Sequence, residues 1–149
     1  MREIREVIFR GKRTDCEAWV EGDLLHYESG EMAICKGFSN YGYEATEIIG
    51  RYKVIPETVG QYTGLTDKNG VRIFEGDICR FKRFNDIYIG KIVFNVKTAS
   101  FVMWYQSIVG AYGEKATHKM LLSVCDGIEV IGNIYDNPEL LGGENNGSK

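Results

Sequence analysis

The chain has 149 residues, of which 44% are hydrophobic and 26% are charged, and its formal net charge is −3. These values are typical of a globular protein with one domain or two small ones, and they exclude a largely disordered chain. The net charge gives no overall attraction to nucleic acid or to an anionic membrane, although it leaves room for a local basic patch. No segment reaches the roughly 18 consecutive apolar residues of a membrane span, and the charged N-terminus lacks the apolar core of a signal peptide. We therefore expect a cytoplasmic protein with no membrane partner.

The four cysteines are widely and irregularly spaced, at Cys16, Cys35, Cys79 and Cys125. No pair has the C-x-x-C spacing of a structural zinc site. We expect free thiols, no metal and no cofactor. Cys35 and Cys79 stand beside apolar residues, which favours a place in the core.

Short apolar stretches alternate with turn signals along the first 60 residues. Apolar segments around Phe9, Val20 and Leu24 and at residues 32–35 predict strands. Residues 38–43 are rich in glycine and aromatic side chains, and we predict a loop there. Tyr41 and Tyr43 are candidates for a recognition loop or an interface, since aromatic residues are enriched at both; the alternative is a loop folded back on its own core.

A further strand region covers residues 46–54, with a break at Gly50. Pro56 ends it, because the residue before a proline is restricted to extended geometry.

The stretch from Tyr62 to Phe81 has the strongest local signals in the second part of the chain. Residues 67–70, Asp-Lys-Asn-Gly, predict a turn. Apolar segments at 71–74 and 78–81 then flank a Glu-Gly-Asp corner. Gly76 suits a sharp bend there, and Asp77 can accept hydrogen bonds from the backbone donors that such a bend frees.

The remainder predicts three more strands, at residues 87–94, 100–105 and 128–135. Residues 110–118 are typical of a loop, and the short apolar run at 119–124 fits either a helix or a strand. Asn137 and Pro138 predict a single helical turn. We expect the tail, residues 143–149, to be disordered.

Two sequence matches recur in the same order and indicate an internal repeat. Glu21-Gly22-Asp23-Leu24 corresponds to Glu75-Gly76-Asp77-Ile78, and residues 47–60 correspond without a gap to residues 129–142. In the second match, Gly50 and Pro56 align with Gly132 and Pro138. The alternative is that Gly-Asp and Pro-Glu are simply common turn pairs. We favour a duplication, with residues 1–60 and 61–142 as its two halves. The class is then mainly β, with two related small barrel-like units and at most short helical turns. A duplication also requires Gly22 and Gly76 to have the same backbone setting.

A known family shares the most distinctive segments of this chain. These are FRGKR at 9–13, Trp19, IPETVGQYTGLTDKNGVRIFEGDICRF at 55–81 and EVIGNIYDNPELL at 129–141. Together they resemble the YopX family of phage and prophage proteins, over nearly the whole chain. The resemblance implies a mostly β protein of SH3-like barrel type that a phage or an integrated prophage encodes. It implies no established activity and carries over no catalytic residues.

Catalytic patterns are weak in this sequence. The pairs Glu21/Asp23 and Glu75/Asp77 would bind a divalent cation or act as acid and base if the two halves brought them together. We favour the alternative, in which each Asp caps a turn and each Glu is solvated. His26 and His118, the only two histidines, belong to no catalytic or metal-binding motif. We therefore expect a protein without enzymatic activity.

A short basic run follows the Glu-Gly-Asp corner. Arg80, Lys82 and Arg83 alternate with Phe81 and Phe84. Cations beside aromatic rings bind phosphates and stack on bases in proteins that hold single-stranded nucleic acid. On an extended strand, however, Arg80 and Lys82 share one face and Phe81 takes the other. An ordinary amphipathic strand is the favoured interpretation, and nucleic-acid binding is the alternative.

The sequence thus predicts a non-enzymatic phage accessory protein, a self-associating β module that binds another macromolecule from phage or host. A nucleic-acid-binding protein in phage replication or regulation is the second hypothesis. Small β units have exposed strand edges, and pairing of these edges favours a homo-oligomer.

Overall fold

A computed structural model describes residues 3–36, 38–41, 45–48, 50–109, 114–121 and 127–142. In these residues the chain is mainly β, with antiparallel strands and two single-turn 3-10 helices at Pro56–Thr58 and Pro138–Leu140. The strands are β1 (Phe9–Lys12), β2 (Trp19–His26), β3 (Met32–Cys35), β4 (Phe38–Tyr41), β5 (Ala45–Ile48), β6 (Arg51–Val54), β7 (Gly60–Thr66), β8 (Arg72–Phe74), β9 (Asp77–Arg83), β10 (Asp86–Asn95), β11 (Ser100–Val109), β12 (Glu114–Leu121) and β13 (Glu129–Asn133). The chain divides into two compact units, Met1–Gly64 and Leu65–Lys149.

The first unit is an antiparallel sheet with the strand order β6-β3-β2-β1-β7. Its core contains Val20, Ile34 and Val54, which come from three different strands, with Phe9 and Tyr52 packed against them. β4 and β5 form a separate hairpin between β3 and β6. β7 continues past Gly64 into the second unit, where the turn at Asp67–Gly70 leads to β8.

The second unit is a sheet with the order β12-β11-β10-β9-β13. β9 to β12 pair in chain order as a meander, and β13 pairs with the other edge of β9. Its core lies on one face of this sheet and includes Ile73, Cys79, Ile92, Met103 and Ile128, all at most 6% exposed. Alternating residues along β9 and β10 place apolar side chains on that face. The opposite face is buried at Ile78 but exposed at Arg80 and Lys82.

The two units share one strand order. Counted within each unit, with the β4–β5 hairpin and β8 left aside, the order is 4-3-2-1-5 in both; β8 pairs with β7 instead. The mainly β class and the arrangement in two units are thus confirmed. The described strands form no closed barrel, because the sheet of the second unit ends at β12 and β13. The SH3-like character and the boundary between residues 60 and 61 stay predictions.

The two sequence matches do not coincide with this shared strand order. Gly22 lies inside β2 and pairs with Phe9, whereas Gly76 lies in the turn between β8 and β9 with a φ of 93°. The 3-10 turn at Pro56 comes between the fourth and fifth strands of its unit, but the one at Pro138 follows the fifth strand. The predicted equivalence of the two Glu-Gly-Asp corners is therefore wrong.

Two predicted loops are strands. Residues 38–41 form β4, in which Phe38 pairs with Ile48 and Tyr41 with Ala45. Residues 114–118 belong to β12, whose polar and apolar residues pair along β11. The composition of these segments suggested loops. Strand pairing, however, forms hydrogen bonds between backbone N–H and C=O groups, whatever the polarity of the side chains. Residues 119–121 also belong to β12 and are therefore extended. Residues 122–124, Cys125 and the tail 143–149 lie outside the described residues.

Cys35 and Cys79 are buried as predicted, at 1% and 0% exposure. Cys16 is exposed, and all three are free thiols. In the described ranges, no cluster of three or more His, Cys, Asp or Glu side chains could hold a metal ion. Over the same ranges, no helix has the length and apolar character needed to cross a membrane.

Candidate functional site

The outer face of the second unit's sheet starts at β9. Along this strand Cys79 and Phe81 point into the core, at 0% and 3% exposure, while Arg80 and Lys82 are exposed. This division follows from the alternation of side chains along an extended strand. Phe81 thus belongs to the core, whereas the two cations are presented to solvent.

Neighbouring strands add two more cations to the same face. The strand registers place Ile78, Lys91 and Trp104 side by side across β9, β10 and β11, and Lys119 of β12 stands opposite Trp104. Ile87 and Ile89 alternate with Lys91 on β10 and therefore share this face, at 63% and 38% exposure. We call this surface the basic face, and its defining residues are Arg80, Lys82, Ile87, Ile89, Lys91, Trp104 and Lys119.

Trp104 lies at the centre of the basic face and is half-buried. The ammonium group of Lys91 sits 4.1 Å from the centroid of its indole ring, a cation–π contact that orients the lysine. The two residues line a pocket of about 220 Å³, together with Ile89, Gln106 and Leu141. Within the described part of the chain the buried indole Nε1 has no hydrogen-bond acceptor. The pocket therefore offers a cation and an N–H donor beside apolar surface.

A carboxylate holds two cations at the β9 end of the basic face. Arg80 Nη2 donates a hydrogen bond of 2.7 Å to Glu129 Oε2, and Lys68 Nζ lies 3.2 Å from the same oxygen. Hydrogen bonds from Arg80 and then from Lys68 hold the pKa of Glu129 below its usual value. The charge of Glu129 thus balances one of these two cations. A second pocket, of about 180 Å³, extends from Glu129 past Lys82 to Ile87.

The hairpin between β9 and β10 ends in an exposed aromatic ring. Phe84 is 85% exposed and occupies the first position of a two-residue turn with a φ of 57°. The guanidinium carbon of Arg83 lies 5.7 Å from the centroid of the Phe84 ring. A non-glycine residue in the left-handed region is uncommon, so the turn carries a strained and solvent-exposed phenylalanine beside a cation.

The opposite face of the sheet is packed with aromatic rings. Its rings form a contact series in which Phe81 stacks on Tyr88 at 5.2 Å, Tyr88 meets Tyr105 edge-on at 5.1 Å, and Tyr105 stacks on His118 at 5.2 Å. Such aromatic pairs add to the stabilisation from burial. His118 thus has a structural place, and the cations on the outer face stand on a well-packed support.

The remaining predicted binding residues are not all described. Arg83 lies at the end of β9, opposite Asp86, and joins Phe84 at the hairpin tip. Tyr41 ends β4, but its side chain and the whole of Tyr43 lie outside the described residues. Arg80 and Lys82 thus share one face of β9 and Arg83 lies beside Phe84 at the hairpin tip, while the tyrosine pair stays a prediction.

The predicted structural residues occupy turns and tight approaches. At the corner after β8, Asp77 is 1% exposed and its Oδ2 accepts a hydrogen bond of 2.7 Å from the backbone N–H of Phe74. A Cβ on Gly22 would collide with the backbone carbonyl of Cys35 on β3, so β2 and β3 approach closely there. The others lie before β6 (Gly50), at a bulge in β13 (Gly132) and at the starts of the 3-10 turns (Pro56, Pro138).

The candidate acidic pairs differ in their surroundings. Glu21 and Asp23 are exposed on β2, whereas Asp77 is buried and bonded to the backbone. His26 is exposed at the end of β2. These positions fit structural or solvated roles for each residue.

Sequence reasoning missed the contributions of Lys91, Trp104 and Lys119. Their positions along the chain give no sign of proximity, because it depends on the strand register. One available signal was the alternation of Ile87, Ile89 and Lys91 along a predicted strand, which places all three on one face.

Comparison with known proteins agrees with this architecture. The profile of the family described as YopX protein matches residues 8–142. The chain is also similar to a solved structure, the crystal structure of protein EF1440 from Enterococcus faecalis, with 30% sequence identity and a TM-score of 0.60. That match covers 91% of this chain and 98% of the other. No curated protein matches the sequence. The chain belongs to the YopX protein family.

Proposed function

We propose that this protein is a non-enzymatic binding protein, encoded by a phage or prophage, that acts in the cytoplasm of the host cell. Its second unit binds an acidic macromolecule through the basic face. The phage origin rests on the family resemblance, and the binding role rests on the geometry of the sheet.

One observation carries the binding role. Arg80, Lys82, Lys91 and Lys119 lie on one sheet face of a protein whose net charge is −3. Glu129 is a carboxylate that pairs with a cation of this face, Arg80. Local cations attract a polyanion even when the whole chain is acidic, because the interaction decays over about 10 Å at moderate ionic strength.

Retention on immobilised heparin tests this role, since heparin is a generic polyanion. We expect Lys82→Glu to elute at clearly lower salt than the wild type, because a basic contact becomes repulsive. Lys97→Glu is the matched control: Lys97 is also exposed, in the loop at the other end of β10, and the substitution changes the net charge by the same amount. Equal elution of the two variants would show that only overall charge matters and would refute the basic face.

We also propose that the chain self-associates. The support is that β12 and β13 end the sheet of the second unit without a further described neighbour, and exposed strand edges favour pairing between chains. Sedimentation at several protein concentrations measures the association. A dimer or larger species is expected, and a monomer of 16.9 kDa at all concentrations would contradict it.

A further inference from the structure

We propose that the acidic macromolecule is single-stranded nucleic acid, with its phosphates on the cations of the basic face and its bases against Phe84 and Trp104. This inference rests on the proposed binding role of the same face, and it names the class of partner.

Phe84 is the first observation that favours nucleic acid over other polyanions. Phe84 has a φ of 57°, which glycine adopts freely and which asparagine tolerates better than phenylalanine does. Its ring is 85% exposed, so packing within the described part of the chain does not compensate for the strained backbone. Strain without a packing gain is a mark of functional positions. An exposed ring beside the cation of Arg83 provides a surface on which a base can stack.

Trp104 is the second observation, and it is independent of the first. Its half-buried ring lines an open pocket, and its indole N–H is buried without an acceptor in the described part of the chain. A phosphate or base oxygen in the pocket would accept that hydrogen bond and would also meet the ammonium group of Lys91, 4.1 Å from the ring centroid. Acceptor oxygens beside a flat ring are characteristic of nucleotides.

The spacing of these groups suits a strand of nucleotides. The row from Lys91 on β10 to Lys119 on β12 crosses two strand intervals, or about 10 Å, and Arg80 and Lys82 lie further along the sheet on β9, opposite Ile89 and Ile87. A single strand can follow this row and turn its bases towards the protein. In a duplex the bases are stacked inside the helix, where Phe84 and Trp104 cannot reach their faces. The surface therefore favours single strands over duplexes.

Fluorescence anisotropy with a labelled single-stranded oligonucleotide of about 12 nucleotides tests the inference, because this length covers a typical single-strand site. We expect Phe84→Asn to weaken binding roughly tenfold, since stacking on an aromatic ring contributes about that much affinity per base. The same substitution relieves the backbone strain, so we expect its melting temperature to be unchanged or higher. Weaker binding by a variant of undiminished stability cannot be explained by unfolding.

Val96→Asn is the matched control. Val96 is 82% exposed and lies just beyond the far end of β10, away from the basic face. We expect this variant to bind like the wild type. If Phe84→Asn also binds like the wild type, or if a duplex of the same sequence binds as tightly as the single strand, the inference is overturned.

The two proposals fail in different ways. Retention on heparin that depends on Lys82, together with no binding of oligonucleotides at low salt, would retain the basic face and reject nucleic acid. Loss of both would reject the basic face itself. A second readout is the fluorescence of Trp104 in a Trp19→Phe background. A base stacked on the indole quenches this fluorescence, so the quenching curve should follow the anisotropy curve.

Discussion

At the scale of single residues, the buried carboxylate of Asp67 connects two segments of the second unit. It is 7% exposed, and its carboxylate accepts hydrogen bonds from the backbone N–H groups of Asn69, Val71 and Val130, at 2.8, 2.9 and 3.0 Å. The first two bonds shape the turn after β7, and the third connects this turn to β13. One side chain thus fixes a local turn and a contact 63 residues away in sequence.

The turn part of this arrangement was predictable, because aspartate at the first position of an Asp-Lys-Asn-Gly segment favours it. The bond to Val130 was not, since no local pattern indicates which distant strand end will present a free N–H group. The same limit applies to Glu129, whose contact with Arg80 depends on the pairing of β13 with β9.

We expect Asp67→Asn to destabilise the protein by about 2 kcal/mol, because the amide presents an N–H group where one backbone donor needs an acceptor. Burial acts to raise the pKa of Asp67, but the bonds from Val130, Val71 and Asn69 outweigh it and leave the pKa below its usual value. A lowered folded pKa gives stability that is present above the unfolded value near 4 and is lost as the pH falls through the folded value.

Urea denaturation at pH 7 and at pH 3 measures both effects. The wild type should lose more stability on acidification than Asp67→Asn, which lacks the titrating group. An equal loss in the two proteins would show that Asp67 does not contribute to acid sensitivity.

At the scale of elements, the β9–β10 hairpin combines core and surface functions. One side of the hairpin carries Phe81 and Tyr88 into the ring series, and the other carries Arg80, Lys82 and Ile87. The period of two in β9 allowed this division to be predicted from the sequence. The tip was not predictable, because Phe-Asn is not a typical pair for a two-residue turn.

Strand register explains why the rest of the basic face was missed. Residues 100–105 were recognisable as a strand, but the sequence does not state which side of it faces the core. A shift of one residue in register would move Trp104 to the other face. Only the pairing of Lys91 with Trp104 and of Trp104 with Lys119 places these side chains in one row.

At the scale of the whole molecule, two units with the same strand order are joined at β7. With β8 left aside the order is 4-3-2-1-5 in both, but Gly22 and Gly76 differ in backbone setting and the sequence matches fall at positions that are not equivalent, so the predicted duplication is not supported. Turn pairs such as Gly-Asp and Pro-Glu recur for local reasons and are weak markers of shared ancestry. The units share a strand order, and only one of them carries the basic face.

The central claim, that the outer sheet face of the second unit binds single-stranded nucleic acid, is tested most directly by amide and indole chemical shifts of ¹⁵N-labelled full-length protein titrated with an oligonucleotide. The largest changes should occur at Arg80, Lys82, Phe84 and Lys91 and at the indole N–H of Trp104, whose signal should move as its hydrogen finds an acceptor. Val96 and Lys97 should change little. Absence of shift changes at low salt, or changes centred on the first unit, would contradict the account.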